Sequence, residues 1–467
     1  MAKSSSNKEK MMFANITKVY DFRGIAGQTI NEDFAERLGR AFVIWRSQTI
    51  NNRQLRLVVG RDMRITSPQL HDALIKGLLD QGAEVIETGL VSTPTFYFAV
   101  AYYGYDGGIM VSASHNPPEY NGFKLIKERA LPISGDSGLE ELLQLMEDSN
   151  WPDSLYPGKV TNQEGVVKDE VKIEVAGRDL TEIKPLRIVA DTANGMGAEY
   201  LDALFRHLPQ CTLVRMNWEL DGTFPNHGAD PLKPENIKPL EERVVADSAD
   251  LGIAIDGDGD RLFFVDNKGQ TVEPGILRAI LAKIFLAEKP GAKIAYDIRP
   301  GRITDDIIRD NGGTPIITKV GHSLIKQQSV KEGVYFAGES SGHFFLQQDF
   351  GFFEVPLIVI VKTLKALSAS GLTLADFVQP YRLYFSSGEI NSQVADVSKV
   401  LKELADHFSD AEIDYLDGIS IKYSDWWFNV RPSNNEPLVR LNLEAINEQL
   451  VKEKTREVLD IIRSSKS

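Results

Sequence analysis

The sequence predicts an α/β protein: three tandem, topologically similar α/β domains and a C-terminal α+β domain, arranged around a central cleft. Three observations carry this expectation. A short apolar run ending in aspartate occurs three times, as RLVVGRD at 56–62, RIVAD at 187–191 and KIAYD at 293–297. Each is followed by a helix-like stretch, a second apolar run, and a third run that opens into a small polar loop. From about residue 384 the plan changes to short alternating strands and a closing helix.

In the first repeat, Leu70, Leu74 and Leu78 mark a helix over 68–81, a second strand follows at 83–86, and a third at 108–111 runs into SASHNP at 112–117. In the second, strands at 212–216 and 251–255 lead to DGDGDR at 256–261. In the third, strands at 314–317 and 334–337 lead to GESSGH at 338–343. Strand, helix, strand, helix, strand is the signature of a largely parallel sheet, whose ligands bind beyond the carboxyl ends of the strands. A tandem triplication whose three loops face one cleft follows. The final stretch shows alternation at 418–423, an aromatic WWFNVRPS segment, a run at 438–443 and a helical pattern at 449–462, with RPSNNEP at 431–437 as its outstanding loop. The expected division is a flexible N-terminus at 1–14 and domains at 15–160, 161–271, 272–383 and 384–467.

At 467 residues the chain is too long for one hydrophobic core, and 42% hydrophobic with 25% charged residues predicts folded structure almost throughout. A net charge of −14 argues against coating nucleic acid or anionic lipid, both of which need a basic face, but leaves room for a locally positive site for a small anion. Cys211 has no second cysteine to pair with, which fits a reducing cytoplasm. The polar start lacks the apolar core of a signal peptide, and apolar runs such as 355–361 are far shorter than the roughly 20 residues a spanning helix needs.

The loops carry the chemistry. Asp256, Asp258 and Asp260 alternate with glycines after an apolar strand, so the backbone can bend enough to gather three carboxylates. Hard carboxylate oxygens suit Mg²⁺. An EF-hand would need Gly at its sixth position and Glu at its twelfth, where this chain has Arg261 and Asn267. Arg261 offers a fixed charge for a phosphate. SASHNP is by composition a good turn as well as a candidate site; His115 neighbours Ser114 without having to point at it, and Lys124 brings an ammonium nearby. GESSGH contains the G-x-S-x-G of a nucleophile elbow at Ser340, but the elbow needs a helix directly after the serine and HFFL reads as extended. Its other reading offers Glu339 and Ser341 to sugar hydroxyls. Arg431, Ser433, Asn434 and Asn435 suit a phosphate, and equally make an ordinary polar turn. His322, in GHSLIK, reads alone as structural.

Taken in order, SASHNP, DGDGDR, GESSGH and RPSNNEP resemble the α-D-phosphohexomutase superfamily, within it the bacterial phosphomannomutase/phosphoglucomutase group, from about residue 15 to the C-terminus. YDFRG at 20–24, DTANG at 191–195, DGTFPNH at 221–227 and KVGHSLIK at 319–326 agree. The resemblance implies four domains around a cleft, a phosphorylated Ser114, and Mg²⁺ held by Asp256, Asp258, Asp260 and a phosphoserine oxygen. It implies sugar contacts from Glu339 and Ser341, a phosphate clamp of Arg431, Ser433 and Asn434, and cleft roles for Arg23, Lys124, Arg261 and His322, with Lys124 and His322 the proton-transfer candidates. The expected reaction interconverts hexose 1- and 6-phosphates in the cytoplasm, with catalytic amounts of hexose 1,6-bisphosphate as activator and no nucleic-acid or membrane partner. A phosphoglucosamine mutase and, more remotely, a serine hydrolase using Ser340 are the alternatives. Ser112 and Asn435 stand where threonine is common in the family; both keep a polar group.

Overall fold

The computed structural model describes residues 17–18, 21–50, 53–148, 150–433 and 438–464; the N-terminal segment 1–14 lies outside them. Two compact units result. One runs to Val272 and takes in Ser341–Ala375; the other comprises Glu273–Ser340 and the chain from Asp376. The division falls inside GESSGH.

The first unit contains two sheets built alike. In one, Gly107–Val111, Arg56–Arg61, Glu84–Leu90 and Lys159–Asn162 lie in that order and parallel, and the antiparallel strands Tyr120–Lys127, Asp21–Ile25 and Thr17–Lys18 extend the Gly107–Val111 edge. In the other, Leu251–Ile255, Arg187–Asp191 and Thr212–Met216 run parallel, with Leu262–Asp266 antiparallel beside Leu251–Ile255. Both follow one rule: the third apolar run of a repeat lies on one side of the first, and the second run on the other. The second unit repeats it with Phe336–Gly338, Lys293–Asp297 and Thr314–Thr318, all parallel. The triplicated plan read from the sequence is therefore a triplicated strand order.

The strands are continuous apolar runs because helices cover parallel sheets on both faces. Val58, Val59, Ile109, Met110 and Val111 are fully buried. Helix Glu32–Ser47 starts where the Asn31 side chain accepts the Phe34 N–H at 2.9 Å. It packs on helix Ser67–Asp80 through glycines: a Cβ on Gly77 would stand 2.0 Å from the Glu36 carbonyl oxygen. The apolar run at 355–361 lies in helix Pro356–Ser370 and is buried within the first unit. Among the described residues no single helix is long and apolar enough to cross a membrane.

The chain end is the α+β element the alternating pattern predicts. Phe385–Ser386, Leu438–Ala445, Trp426–Pro432, Ile419–Lys422 and Glu412–Asp414 form an antiparallel sheet in that order, and Ile390–Gln393 also pairs with Leu438–Ala445. Helices Val397–His407 and Glu448–Ser464 contribute Val400, Leu404, Val458 and Ile462 to a core with Phe428, Val430 and Leu441.

Each third-run strand delivers its loop at its carboxyl end. SASHNP follows Gly107–Val111, DGDGDR follows Leu251–Ile255, and GESSGH starts at the last residue of Phe336–Gly338. Lys124 sits on the antiparallel neighbour of the first of these strands, opposite Met110.

Candidate active site

The serine and aspartate loops meet within the first unit. Ser114 is buried and has a φ of +52°, in the left-handed region that a non-glycine residue enters only at a cost of about 1–2 kcal/mol. Its N–H donates to Ser112 Oγ at 2.9 Å, and its Oγ stands 3.1 Å from Asp256 Oδ2 and 3.2 Å from His115 Nδ1. Burial, with the nearby Arg261 and Arg23 charges, pushes the His115 imidazole well below its ordinary range. A Cβ on Gly257 would come within 2.7 Å of the Ser114 carbonyl oxygen, so only glycine allows this approach of the two loops.

Asp256, Asp258 and Asp260 are all buried, and each offers one carboxylate oxygen such that these atoms lie within 4.8 Å of one another. Asp256 Oδ1 accepts the N–H groups of Gly259, Asp260 and Arg261 at 3.1, 3.0 and 3.1 Å, which folds the loop on itself. Lys124 Nζ donates to Asp258 Oδ2 and to Asp260 Oδ2, both at 2.6 Å. Burial opposes the ammonium charge, but the two carboxylates outweigh it and hold Lys124 well above the usual lysine range. Asp260 Oδ1 faces His343 Nε2 at 3.1 Å. Burial and the two other carboxylates push Asp256 upward, against the Arg261 guanidinium, whose Nε lies 3.8 Å from Asp256 Oδ2.

Arg23 and Arg261 lie around this cluster. Arg23 pairs with Asp21, with Nη2 2.7 Å from Oδ2, and donates through Nη1 to Ala113 O at 3.2 Å and Asn116 Oδ1 at 2.9 Å. Arg261 Nη1 reaches Asp230 Oδ1 at 3.2 Å, and its Nη2 lies 3.5 Å from His115 Nε2. Ser341 Oγ is 2.9 Å from His343 Nδ1, so GESSGH sends one of its expected contacts into the same unit as the aspartates.

The remaining expected residues belong to the second unit. Glu339 is buried and accepts the Gly321 N–H at 2.9 Å, joining GESSGH to the loop before His322, the first residue of helix His322–Glu332. Ser340 is not an elbow nucleophile. Its Oγ donates to Asp297 Oδ1 at 2.9 Å and accepts from Arg278 Nη1 at 3.0 Å, and no helix follows it. Arg431 closes strand Trp426–Pro432 with Nη2 2.7 Å from Glu389 Oε2, and the Ser433 N–H donates to Leu438 O at 2.9 Å. Asn434 and Asn435 lie outside the described residues.

Sequence reading missed several participants. Thr93, the first residue of helix Thr93–Tyr102, donates its hydroxyl to Asp258 Oδ2 at 2.5 Å and its N–H to Asp258 O at 2.9 Å. Its only sequence signal was the Ser92 cap before a proline. His343 was visible inside GESSGH, yet nothing local tied it to Asp260. Arg64, in the MRI segment after RLVVGRD, carried no motif at all.

Four family models match the chain in order: phosphoglucomutase/phosphomannomutase alpha/beta/alpha domain I at residues 14–151, domain II at 167–269, domain III at 274–384, and the C-terminal domain at 389–461. The chain is 38% identical over 455 residues to a phosphomannomutase of Escherichia coli strain K12, covering 95% of this chain and 98% of that protein. It is 37% identical over 461 residues to a phosphomannomutase of Methanocaldococcus jannaschii, covering 96% and 97%. The crystal structure of a phosphoglucomutase/phosphomannomutase family protein from Burkholderia thailandensis is similar with a TM-score of 0.86 at 32% identity, covering 97% of this chain and 98% of that one.

DTANG and DGTFPNH brace the aspartate loop from behind. The Met196 N–H donates to Gly257 O at 2.9 Å, and Asp191 accepts from Asn217 Nδ2 at 3.0 Å and from His227 Nε2 at 2.9 Å. His227 Nδ1 donates to Gly228 O at 2.9 Å, and its Nε2 also lies 3.0 Å from Asn217 Nδ2. Burial lowers the His227 pKa, but the Asp191 carboxylate more than offsets it and the net shift is upward. A raised folded-state value makes this stabilisation full below the unfolded value of about 6.5 and lost as pH rises through the folded one. The stability gap between wild type and His227→Gln should therefore be larger at about pH 6 than at about pH 9 in urea titrations. A gap independent of pH would refute a charged brace.

Proposed function

The chain belongs to the phosphoglucomutase/phosphomannomutase family and is a mutase, and from that premise we propose that it interconverts hexose 1-phosphates and hexose 6-phosphates through a phosphoserine at Ser114. The observation that carries the reading is the Ser114 Oγ, 3.1 Å from Asp256 in a loop shared with two further buried carboxylates.

The donor set fits a hard divalent cation. It is all oxygen, it gathers three buried carboxylates, and Asp258 Oδ1 is buried with no hydrogen-bond partner among the described residues. Asp256, Asp258 and Asp260 would hold Mg²⁺, with an oxygen on Ser114 joining them. Such an ion supplies positive charge to the oxygens of the phosphoryl group in transit.

In the forward step a free hydroxyl oxygen of the hexose monophosphate attacks phosphorus. The P–Oγ bond to Ser114 breaks, an O–P bond to the sugar forms, and the product is a hexose 1,6-bisphosphate. The return step runs in reverse with the other phosphate, which is why small amounts of the bisphosphate would prime the enzyme. The hydroxyl proton must leave the sugar and one must return to Ser114 Oγ; we assign the sugar transfers to His322 and to Lys124, which as an ammonium gives a proton rather than takes one, and the exchange of the serine proton to His115, 3.2 Å from Oγ. Arg23 and Arg261 offer fixed charge to the phosphoryl oxygens, so the work is mainly positioning and electrostatics. Glu339 and Ser341 are proposed to hold sugar hydroxyls, and Arg431, Ser433, Asn434 and Asn435 the phosphate not being transferred. The proposal carries the division into domains at 15–160, 161–271, 272–383 and 384–467, and a cytoplasmic setting, consistent with the single cysteine.

Four outcomes test it. Ser114→Ala should lower kcat by more than about 10³-fold while changing stability by about 1 kcal/mol or less. Intact-mass analysis of wild type incubated with a hexose bisphosphate should find one phosphate, and its location on another serine would refute the assignment. Excess chelator should stop turnover and Mg²⁺ restore it, with Asp258→Asn weakening the metal dependence; undiminished activity in chelator would remove the cation. The family resemblance gives Glu339 and Ser341 the C3 and C4 hydroxyls, and no named residue reads C2, where glucose and mannose differ. The kcat/KM values for their 1-phosphates should thus lie within about 10³ of each other, with N-acetylglucosamine 1-phosphate the poorest of the three. A preference for the amino sugar would place the chain with the phosphoglucosamine mutases.

A further inference from the structure

Arg64 is one of the two largest fully buried side chains, and it lies under the serine loop. Its Nη2 donates to Ser114 O at 2.8 Å and to Asn116 O at 2.6 Å, and its Nη1 donates to Pro117 O at 2.7 Å and to Tyr120 O at 3.0 Å. Its Nε faces Asp62 Oδ2 at 3.3 Å. The two terminal nitrogens of the planar fork thus donate to four main-chain carbonyls within seven residues of chain. The Phe224 ring lies 5.1 Å from the guanidinium carbon, and a Cβ on Gly222 would come within 2.5 Å of the Arg64 Cα, so DGTFPNH closes over the same side chain.

Those contacts fall on the degree of freedom that matters for reaction. Ser114 is held at a positive φ, an unfavourable conformation that persists only where its surroundings over-determine it. Fixing the Ser114 carbonyl fixes the peptide plane after the residue, and with the Ser112 hydroxyl on its N–H, the direction of the Cα–Cβ bond that carries Oγ. An ammonium cannot replace the fork, since its three donors leave one nitrogen and cannot span four carbonyls.

We propose that Arg64 is a positioning residue for the nucleophile: it clamps the serine loop so that Ser114 Oγ stands over Asp256. The proposal rests on the phosphoserine reading for its catalytic consequence, but not for its effect on the loop.

The test is Arg64→Lys, measured in the full chain. Hydrogen exchange of the amides in 113–120 should quicken by about tenfold or more, and kcat and the rate of Ser114 phosphorylation by hexose 1,6-bisphosphate should fall by about 10²-fold or more, the scale of an ångström misplacement. KM should stay within about threefold, because the expected sugar contacts Glu339 and Ser341 are not touched. Methylguanidinium should restore part of the kcat of Arg64→Ala. A folded Arg64→Lys enzyme with unchanged loop exchange, or with kcat within about threefold of wild type, overturns the proposal, as does a loss that merely follows the fraction unfolded. If Arg64→Lys does not fold, Phe224→Leu decides: it removes the ring beneath the guanidinium without unpairing a buried charge, and should raise loop exchange and lower kcat to a smaller degree, whereas no change in either overturns the clamp. A wild type that takes no phosphate on Ser114 refutes the phosphoserine reading separately, and the exchange data then still decide the clamp.

Discussion

Three buried carboxylates on alternate residues of one turn are the constraint around which the first unit is organised. Left alone, Asp256, Asp258 and Asp260 would repel one another in a medium that screens charge poorly. The Lys124 ammonium bridges two of them, Thr93 and His343 each meet one, and three successive N–H groups of the turn converge on the first. Asp258 Oδ1 is left with no hydrogen-bond partner among the described residues, and the three carboxylates stand close enough together that they could hold a metal ion.

Satisfying that turn dictates where other elements must be. Lys124 comes from the antiparallel strand beside the serine-bearing one, so the first sheet has to deliver the hydroxyl and the ammonium together. Thr93 comes from a helix start in the same repeat, and the turn itself from the second repeat. The repeated strand order accomplishes this with one rule, because each third-run strand ends in a loop beyond the same edge of its sheet.

The second unit handles buried charge in the same way. Asp297 lies between Arg278 and Arg299, and Glu444 accepts the Gly301 and Arg302 N–H groups and the Trp427 indole. Such pairs are costly to break from one side, so they hold their loops in one arrangement rather than adding much net stability. Ser340 illustrates the consequence: its hydroxyl is spent on the Asp297–Arg278 pair and is unavailable for the chemistry its G-x-S-x-G spelling suggests.

The sequence by itself determined the repeats, the strand-ending loops and the residue types of the site, because hydrophobic periodicity and a carboxylate triplet are local patterns. Asp256, Asp258, Asp260 and the α+β end were legible for that reason, whereas Ser114 stood out only through the resemblance carried by four motifs in order. The triplicated plan was legible too, since each copy spelled out the same order of runs. Only the tertiary structure decided who meets whom. Arg64 lacked any motif because its partners are carbonyl oxygens, which every residue possesses and no sequence displays. The turn of His115 toward Ser114 Oγ depends on a left-handed φ that nothing in a serine codon announces, and His343 acquires its meaning only from Asp260, far off in the chain. Long-range hydrogen bonds and strained backbone angles are properties of the folded chain as a whole, set by packing rather than by neighbouring letters.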